Sequence, residues 1–316
     1  SQRAVIRKDA RVQISSPACP YSNLAEKEFE RHYKQFLELG GTSYWGNVLD
    51  NRIKYLKAKG CTARTISTYL RSAVSLIEFR AKKLDDYNKE DFVDYAIWLR
   101  EKISETTFYH TMNNVKMFFR WINDGELPAP LRQFRRLKMP KPSIRWDQII
   151  TPDEIEILCR FCSNLRDECL IRFAFDSCAR VSEILNLQIK DIYFTEFGAR
   201  VFLHGHKGER FVDLTKSFHW LKKWLDFHPA NNIKTAFVFV RLHENERLKL
   251  KKINNYLKKL YTKAKLNKSL SLKQLRSSGL TYRAESLSDQ ELKRFAGHTP
   301  SSRMLDHYIA MNPFKK

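Results

Sequence analysis

Glycine and proline are scarce, with ten of each in 316 residues. So few turn-formers favour a helical fold over a many-stranded β fold. No run of 18 apolar residues occurs, so no membrane-spanning helix is expected. The opening "SQRAVIRKDARVQ" lacks the apolar stretch of a secretory signal, and an intracellular, cytoplasmic location is the expectation. The chain also lacks a Gly-rich phosphate loop, a G-K-[ST] triplet, a His-Glu-x-x-His and the spaced carboxylates of a two-metal nuclease. Its six cysteines include a single C-x-x-C, Cys159 and Cys162, without a second pair at zinc-site spacing. Reduced, mostly buried thiols are expected. His204 and His206 alternate on one strand with no third ligand nearby, which reads as a surface feature. Neither a metal nor a cofactor is expected.

What the chain has in excess is positive charge: 57 Lys+Arg against 35 Asp+Glu, a formal net charge of +22. Such an excess fits a densely anionic partner, and nucleic acid is the first candidate. A hydrophobic fraction of 43% with 21 Phe, 13 Tyr and 6 Trp excludes a disordered chain and supports two packed cores.

Hydrophobic periodicity divides the chain. Residues 1–41 form an N-terminal extension containing one helix, "LAEKEFERHYKQFLE". Apolar residues at three- and four-residue steps then predict a helical bundle over 42–124: Ile66, Leu70, Ala73 and Ile77, then Phe92, Tyr95 and Leu99, then Val115, Phe118 and Ile122. Arg64, Arg71, Lys82, Lys83, Lys102 and Lys116 are expected on its exposed faces. Residues 125–148 hold repeated prolines and a basic run and read as an extended linker. Arg135, Arg136, Lys138 and Lys141 in that run, with Arg64 and Arg71, are the candidate nucleic-acid contacts. The second domain, 149–316, opens at "TPDE", a capping-box start. Helices are predicted at 153–163, 166–176, 180–187, 217–227 and 251–265. "ARVFLHGHKGERFVDL" reads as a β-hairpin and "FVFV", 237–240, as a short strand. Ser288 and Glu291 open a helix that Gly297 ends, and a second short helix carries Tyr308.

Phosphoryl transfer without a metal needs a nucleophile, cations on the non-bridging oxygens and an acid for the leaving oxygen. Arginine suits the clamp because its planar fork grips phosphate bidentately and stays charged. A tyrosine hydroxyl can attack phosphorus and retain the bond energy as an ester.

Four stretches carry these parts, and together they resemble the tyrosine recombinases, the phage-type integrases and Xer-like recombinases. "DSCARVSEILNLQIKDI" resembles the first arginine motif, in which a helix opens on the arginine with a carboxylate three residues later; Arg180 and Glu183 match. "HGHKGERFVDL" is similar to the hairpin bearing the family's lysine, which gives Lys207, with Arg210 competing for the inward place. "SLKQLRSSGLTY" resembles the second arginine box. Arg276 matches there, and Lys273 stands where histidine is usual, a variant of some archaeal virus and plasmid integrases. "FAGHTPSSRMLDHY" resembles the Gly-His motif followed by the nucleophile, giving His298 and Tyr308.

The resemblance implies a mainly α protein. An all-α core-binding domain and an α-rich catalytic domain with a small β-hairpin or sheet would form a C-shaped clamp. It implies a site-specific DNA recombinase, or integrase, acting on double-stranded DNA as a tetramer through a 3′-phosphotyrosyl intermediate, independent of metal and ATP. In that reading Tyr308, Arg180, Lys207, Lys273, Arg276 and His298 are catalytic and Glu183 supports Arg180. A type IB topoisomerase-like relaxing enzyme and a non-catalytic DNA-binding regulator descended from a recombinase share many of these features.

Overall fold

The structure, a computed structural model, describes residues 21–40, 43–140, 146–205, 208–242, 246–268, 271–302 and 305. The chain divides into two compact units, Ser1–Lys141 and Pro142–Lys316. The fold is mainly α with one small sheet, as the sequence implied.

In the first unit, α1 (Tyr21–Gly40), α2 (Ser43–Ala58), α3 (Ala63–Phe79), α4 (Lys89–Lys102) and α5 (Glu105–Ile122) surround one core. Helix starts follow side-chain chemistry. The Thr62 and Ser104 hydroxyls cap α3 and α5, while Asn88 and Asp91 form a reciprocal capping box on α4. Leu70, Leu76, Phe92, Tyr95, Met112 and Phe118 repeat at helical spacing and are buried. The sequence reading sets the α1 region apart as an extension, whereas α1 packs into this core. Phe36 is buried with its ring 5.6 Å from Phe118, and His32 Nδ1 lies 2.8 Å from Ser67 Oγ.

Two other expectations need correction. Much of 125–148 is not an extended linker, because its apolar residues recur every three or four positions. Leu131 is buried in the helical core, and Leu127, Phe134 and Leu137 pack against it through a 3-10 run, Ala129–Phe134. Lys116, expected on a basic face, follows Met112 by four residues and therefore shares its core-facing side. It is buried and donates to the Phe134 carbonyl at 2.8 Å. Burial, and then Arg120, lower its pKa.

The second unit contains α6 (Pro152–Arg160), α7 (Leu165–Ser177), α8 (Val181–Asn186), α9 (Phe218–Asp226), α10 (Leu250–Lys263), α11 (Leu272–Arg283) and α12 (Asp289–Ala296). An antiparallel sheet of order β1 (Ile192–Thr195), β2 (Gly198–Gly205) and β3 (Gly208–Leu214) adds one strand to the expected hairpin. Val201 and Leu203 of β2, and Val212 and Leu214 of β3, face the core with Leu170 and Phe173 of α7. The "FVFV" run is no strand of this sheet. Val238, Phe239 and Val240 are buried in succession without alternation, and the run makes only isolated bridges, Gln188 to Phe237 and Val240 to Arg247. Cys159, Cys169 and Cys178 are buried thiols, and Cys61 and Cys162 are partly exposed.

Candidate active site

The candidate site is assembled from three chain reversals in the second unit. At the first, α7 ends in Cys178, whose backbone is left-handed (φ 47°, ψ 32°), and Arg180 then precedes α8 in an extended conformation. A left-handed conformation is costly for a residue with a side chain, so packing must hold it. Cys178 is fully buried, and its carbonyl accepts a hydrogen bond from Arg276 Nη1. Glu183 reaches back over the first turn of α8. Its Oε2 accepts the Arg180 backbone N–H at 2.6 Å and its Oε1 accepts Arg180 Nη1 at 2.8 Å. The three-residue spacing makes Glu183 both the cap of the helix and the clamp on the guanidinium.

The second reversal is the end of α12. Ser288 and Glu291 form its capping box, and Gly297 stops it with φ 67°. Gly297 N–H donates to Arg294 O at 3.0 Å and His298 N–H to Lys293 O at 2.8 Å. Both bonds need the left-handed glycine. The last carbonyls of the helix are then left without helical partners, and they carry the negative end of its dipole. Three arginines take them in succession. Arg210 Nε donates to Phe295 O at 2.8 Å, Arg276 Nη2 to Ala296 O at 2.8 Å and Arg180 Nη2 to Gly297 O at 2.7 Å.

The third reversal is the hairpin, which brings Arg210 in from β3. Its guanidinium grips both oxygens of Glu183 and is 9% exposed. His298 lies beside Arg276, with Nε2 3.5 Å from Arg276 Nη2 and Nδ1 3.3 Å from Ser302 Oγ. The result is a positively charged and largely desolvated cluster of three arginines, two of which, Arg180 and Arg210, hold the Glu183 carboxylate. Burial, and then the Arg180 charge, push the pKa of Arg276 down to about 10. For Glu183, burial alone would raise the pKa; Arg210 and Arg180 overcome it and hold the carboxyl below its usual range.

A guanidinium has five N–H groups. Arg180 commits two to protein acceptors, Glu183 and Gly297. Arg276 commits two to the Cys178 and Ala296 carbonyls, beside the longer contact to His298. The remaining N–H groups of these arginines, one with a quarter-exposed side chain, can bind an anion with several oxygens.

A family model described as the phage integrase family matches residues 148–314, more than half of the chain. A second, the N-terminal SAM-like domain of phage integrases, matches residues 48–129. The chain belongs to the phage integrase family. Its relatives include the tyrosine recombinase XerD of Oceanobacillus iheyensis, 22% identical over 282 residues, covering 81% of this chain and 94% of that protein. The tyrosine recombinase XerC of Staphylococcus haemolyticus is 24% identical over 194 residues, covering 58% of this chain and 64% of that protein. Among solved structures, a lambda integrase dimer bound to a COC′ core site has the same fold. Its TM-score is 0.66 at 14% identity, over 83% of this chain and 76% of that one. This phage integrase family member is thus a tyrosine-type, site-specific DNA recombinase.

Of the residues expected in the site, Arg180, Glu183, Arg276 and His298 are brought together in this recombinase. Lys273 is exposed on the first turn of α11, one turn before Arg276. Tyr308, Lys207 and Lys141 lie outside the described residues. In the helical unit Arg64 and Arg71 are exposed on α3, two turns apart on one face. Arg135, Arg136 and Lys138 are exposed just after the 3-10 run. From the sequence, Arg210 is only a competitor to Lys207 for the inward place. Its signal was its parity with Val212 and Leu214, which puts a cation on the buried side of β3.

Proposed function

We propose that the cluster of Arg180, Arg276 and His298 holds the scissile phosphate of duplex DNA for cleavage by Tyr308. The Tyr308 hydroxyl gives up its proton to solvent as its oxygen attacks phosphorus, the bond from phosphorus to the 5′-oxygen breaks, and a 3′-phosphotyrosyl ester forms. Lys207 gives its proton to the departing 5′-oxygen. Arg180, Arg276, His298 and the nearby Lys273 stabilise the charge on the non-bridging oxygens. The ester conserves the bond energy, so a 5′-hydroxyl from a second strand can reverse the step with no external energy source. The protein acts as a tetramer on DNA and exchanges strands through a Holliday junction. Arg64, Arg71, Arg135, Arg136, Lys138 and Lys141 track the phosphate backbone.

The observation that carries this reading is the placing of Arg180 and Arg276 on adjacent carbonyls of one helix end, Gly297 and Ala296. That arrangement fixes two forks side by side while leaving N–H groups on each for one phosphate. Tyr282, the other tyrosine near the second arginine box, is less suited. It lies six residues beyond Arg276, about 120° round the helix, and packs on Phe175 with ring centroids 6.0 Å apart. Its pKa is raised, by burial first and then by Glu285.

A nicked suicide duplex, which loses the strand needed for religation, tests the proposal. The wild-type protein should accumulate a covalent DNA adduct that Tyr308→Phe abolishes. An adduct mapped to Tyr282 would overturn the site assignment, and no adduct from DNA-bound protein would overturn the chemistry. Transfer of the cleaved strand to a second duplex distinguishes recombination from simple relaxation.

A further inference from the structure

We propose that Arg210 is a positioning residue of strand cleavage, acting through Glu183 to orient Arg180 and leave its charge for the phosphate. The inference rests on the phosphate-binding role given above to Arg180.

A cation on the core side of a sheet must be compensated by protein or bound ligand. Arg210 faces inward on β3 with Val212 and Leu214, and its side chain is 9% exposed. Its Nη1 donates to Glu183 Oε1, its Nη2 to Glu183 Oε2 at 2.9 Å and its Nε to Phe295 O at 2.8 Å. Three of its five N–H groups are thus held by protein acceptors, so Arg210 is assigned a positioning role and not that of a phosphate ligand.

Its effect comes through the carboxylate. An ionised carboxylate offers about four lone-pair sites. On Glu183 Oε1 these go to Arg180 Nη1 and Arg210 Nη1, and on Oε2 to Arg180 N–H and Arg210 Nη2. All four are used, so neither guanidinium can turn without breaking the arrangement of the other. Saturation of this kind fixes a side chain more firmly than one ion pair does.

The charge count points the same way. Alone, Glu183 and Arg180 would form a neutral pair, and the negative oxygen would compete with a phosphate for the guanidinium. Arg210 supplies the second cation, so that Glu183 is compensated and one positive charge remains at Arg180. The hairpin also abuts this junction. A Cβ placed on Gly205 would come within 2.7 Å of Glu183 Oε1, and Gly205 pairs with Gly208, two residues before Arg210. The end of the hairpin ladder and the Arg180 clamp therefore meet at the same carboxylate.

The test is single-turnover cleavage of the suicide duplex at saturating protein, beside DNA affinity and thermal melting, for Arg210→Met, Arg210→Lys and the pair Glu183→Gln with Arg210→Met. Arg210→Met should slow adduct formation at least tenfold, because the uncompensated carboxylate then neutralises Arg180, while DNA affinity stays within about threefold. Arg210→Lys keeps the charge but loses the fork, and should recover only part of the rate. The double variant should be faster than Arg210→Met alone, since an amide no longer competes for Arg180. If Arg210→Met fails to fold, the double variant and Arg210→Lys carry the test. Wild-type rates in folded Arg210→Lys and Arg210→Met, or a double variant no faster than a folded single one, overturn the inference. So does a double variant at wild-type rate when only it and Arg210→Lys fold and Arg210→Lys also cleaves normally. Substituting sulfur for the bridging 5′-oxygen gives a second readout, because a thiolate departs without a proton. Rescue of the Arg210 variants by sulfur would overturn the role at Arg180 and assign the defect to leaving-group protonation. If the wild type itself forms no adduct, the phosphotyrosyl reading fails instead.

Discussion

Arg180 and Arg276 donate to neighbouring carbonyls of one helix terminus, Gly297 O at 2.7 Å and Ala296 O at 2.8 Å. The two guanidiniums come from different segments, one just before α8 and one on α11, and the end of α12 sets the distance between them. The helix end is thus a template, with its exposed carbonyls and negative dipole end matched to cations. Removing either fork should lower cleavage more than binding. Arg180→Lys or Arg276→Lys keeps a charge but loses bidentate geometry. Loss of one such transition-state contact costs roughly 10²–10³-fold in rate. We expect a fall of that order in single-turnover cleavage, with DNA affinity within a few-fold by gel shift. An equal loss in both would mean that the arginine contributes uniform binding only.

Gly297 is the hinge of that template. Its φ of 67° suits glycine, and a Cβ there would lie 2.9 Å from both Arg180 Nη1 and Arg210 Nη1. Gly297→Ala therefore adds backbone strain, on the order of 1 kcal/mol, to a displacement of two guanidiniums. The expected outcome is a lowered melting temperature together with at least a tenfold loss of cleavage. A lowered melting temperature with normal cleavage would show that the guanidiniums tolerate the shift.

Part of this site is readable in the chain itself, because Arg180, Glu183, Arg276 and His298 sit at helix starts and stops that leave local marks. The carboxylate at a three-residue step and the glycine before His298 are such marks. The acceptors that set the arginines are not, since the carbonyls of 295 to 297 belong to backbone and carry no residue signature. Arg210 was visible only as a cation at inward parity, a weak signal until Glu183 is seen opposite it. Prolines in 125–148 suggested extension, although Leu127, Leu131, Phe134 and Leu137 already carried a packing period. The charge of Lys116 points to the surface, whereas its four-residue step from Met112 puts it in the core.

Acid should unfold the helical unit partly through Asp91. Burial alone would raise its pKa, but Lys82 and Arg80 hold it at about 2, below the 3.8 of a free aspartate. A carboxyl with a depressed folded-state pKa contributes stability that is present above the unfolded pKa and lost as pH falls through the folded one. The contribution of Asp91 should therefore be complete above about pH 4 to 5 and disappear toward pH 2. Asp91→Asn should lower the melting temperature at pH 7, and its difference from wild type should shrink as pH falls. A constant difference down to pH 2 would mean that the loss comes from the capping box at Asn88 rather than from the charge.

The basic residues of the helical unit divide into two kinds that mutagenesis can separate. Arg135, Arg136 and Lys138 are exposed, whereas Lys116 is buried and donates to Phe134 O at 2.8 Å. Each phosphate contact releases counterions, and the slope of log affinity against log salt changes by about 0.9 per contact. Replacing Arg135, Arg136 and Lys138 together by alanine should flatten that slope by up to about 2.7 on the same scale, with little change in melting temperature. Lys116→Met should do the reverse. It leaves the Phe134 carbonyl without its buried donor, which costs roughly 1–3 kcal/mol of stability, and it should leave the salt slope unchanged. Fluorescence anisotropy with a labelled duplex at several salt concentrations, beside thermal melts, reads both effects. A flattened slope in Lys116→Met would place that ammonium on the DNA, against its burial beneath the 3-10 run.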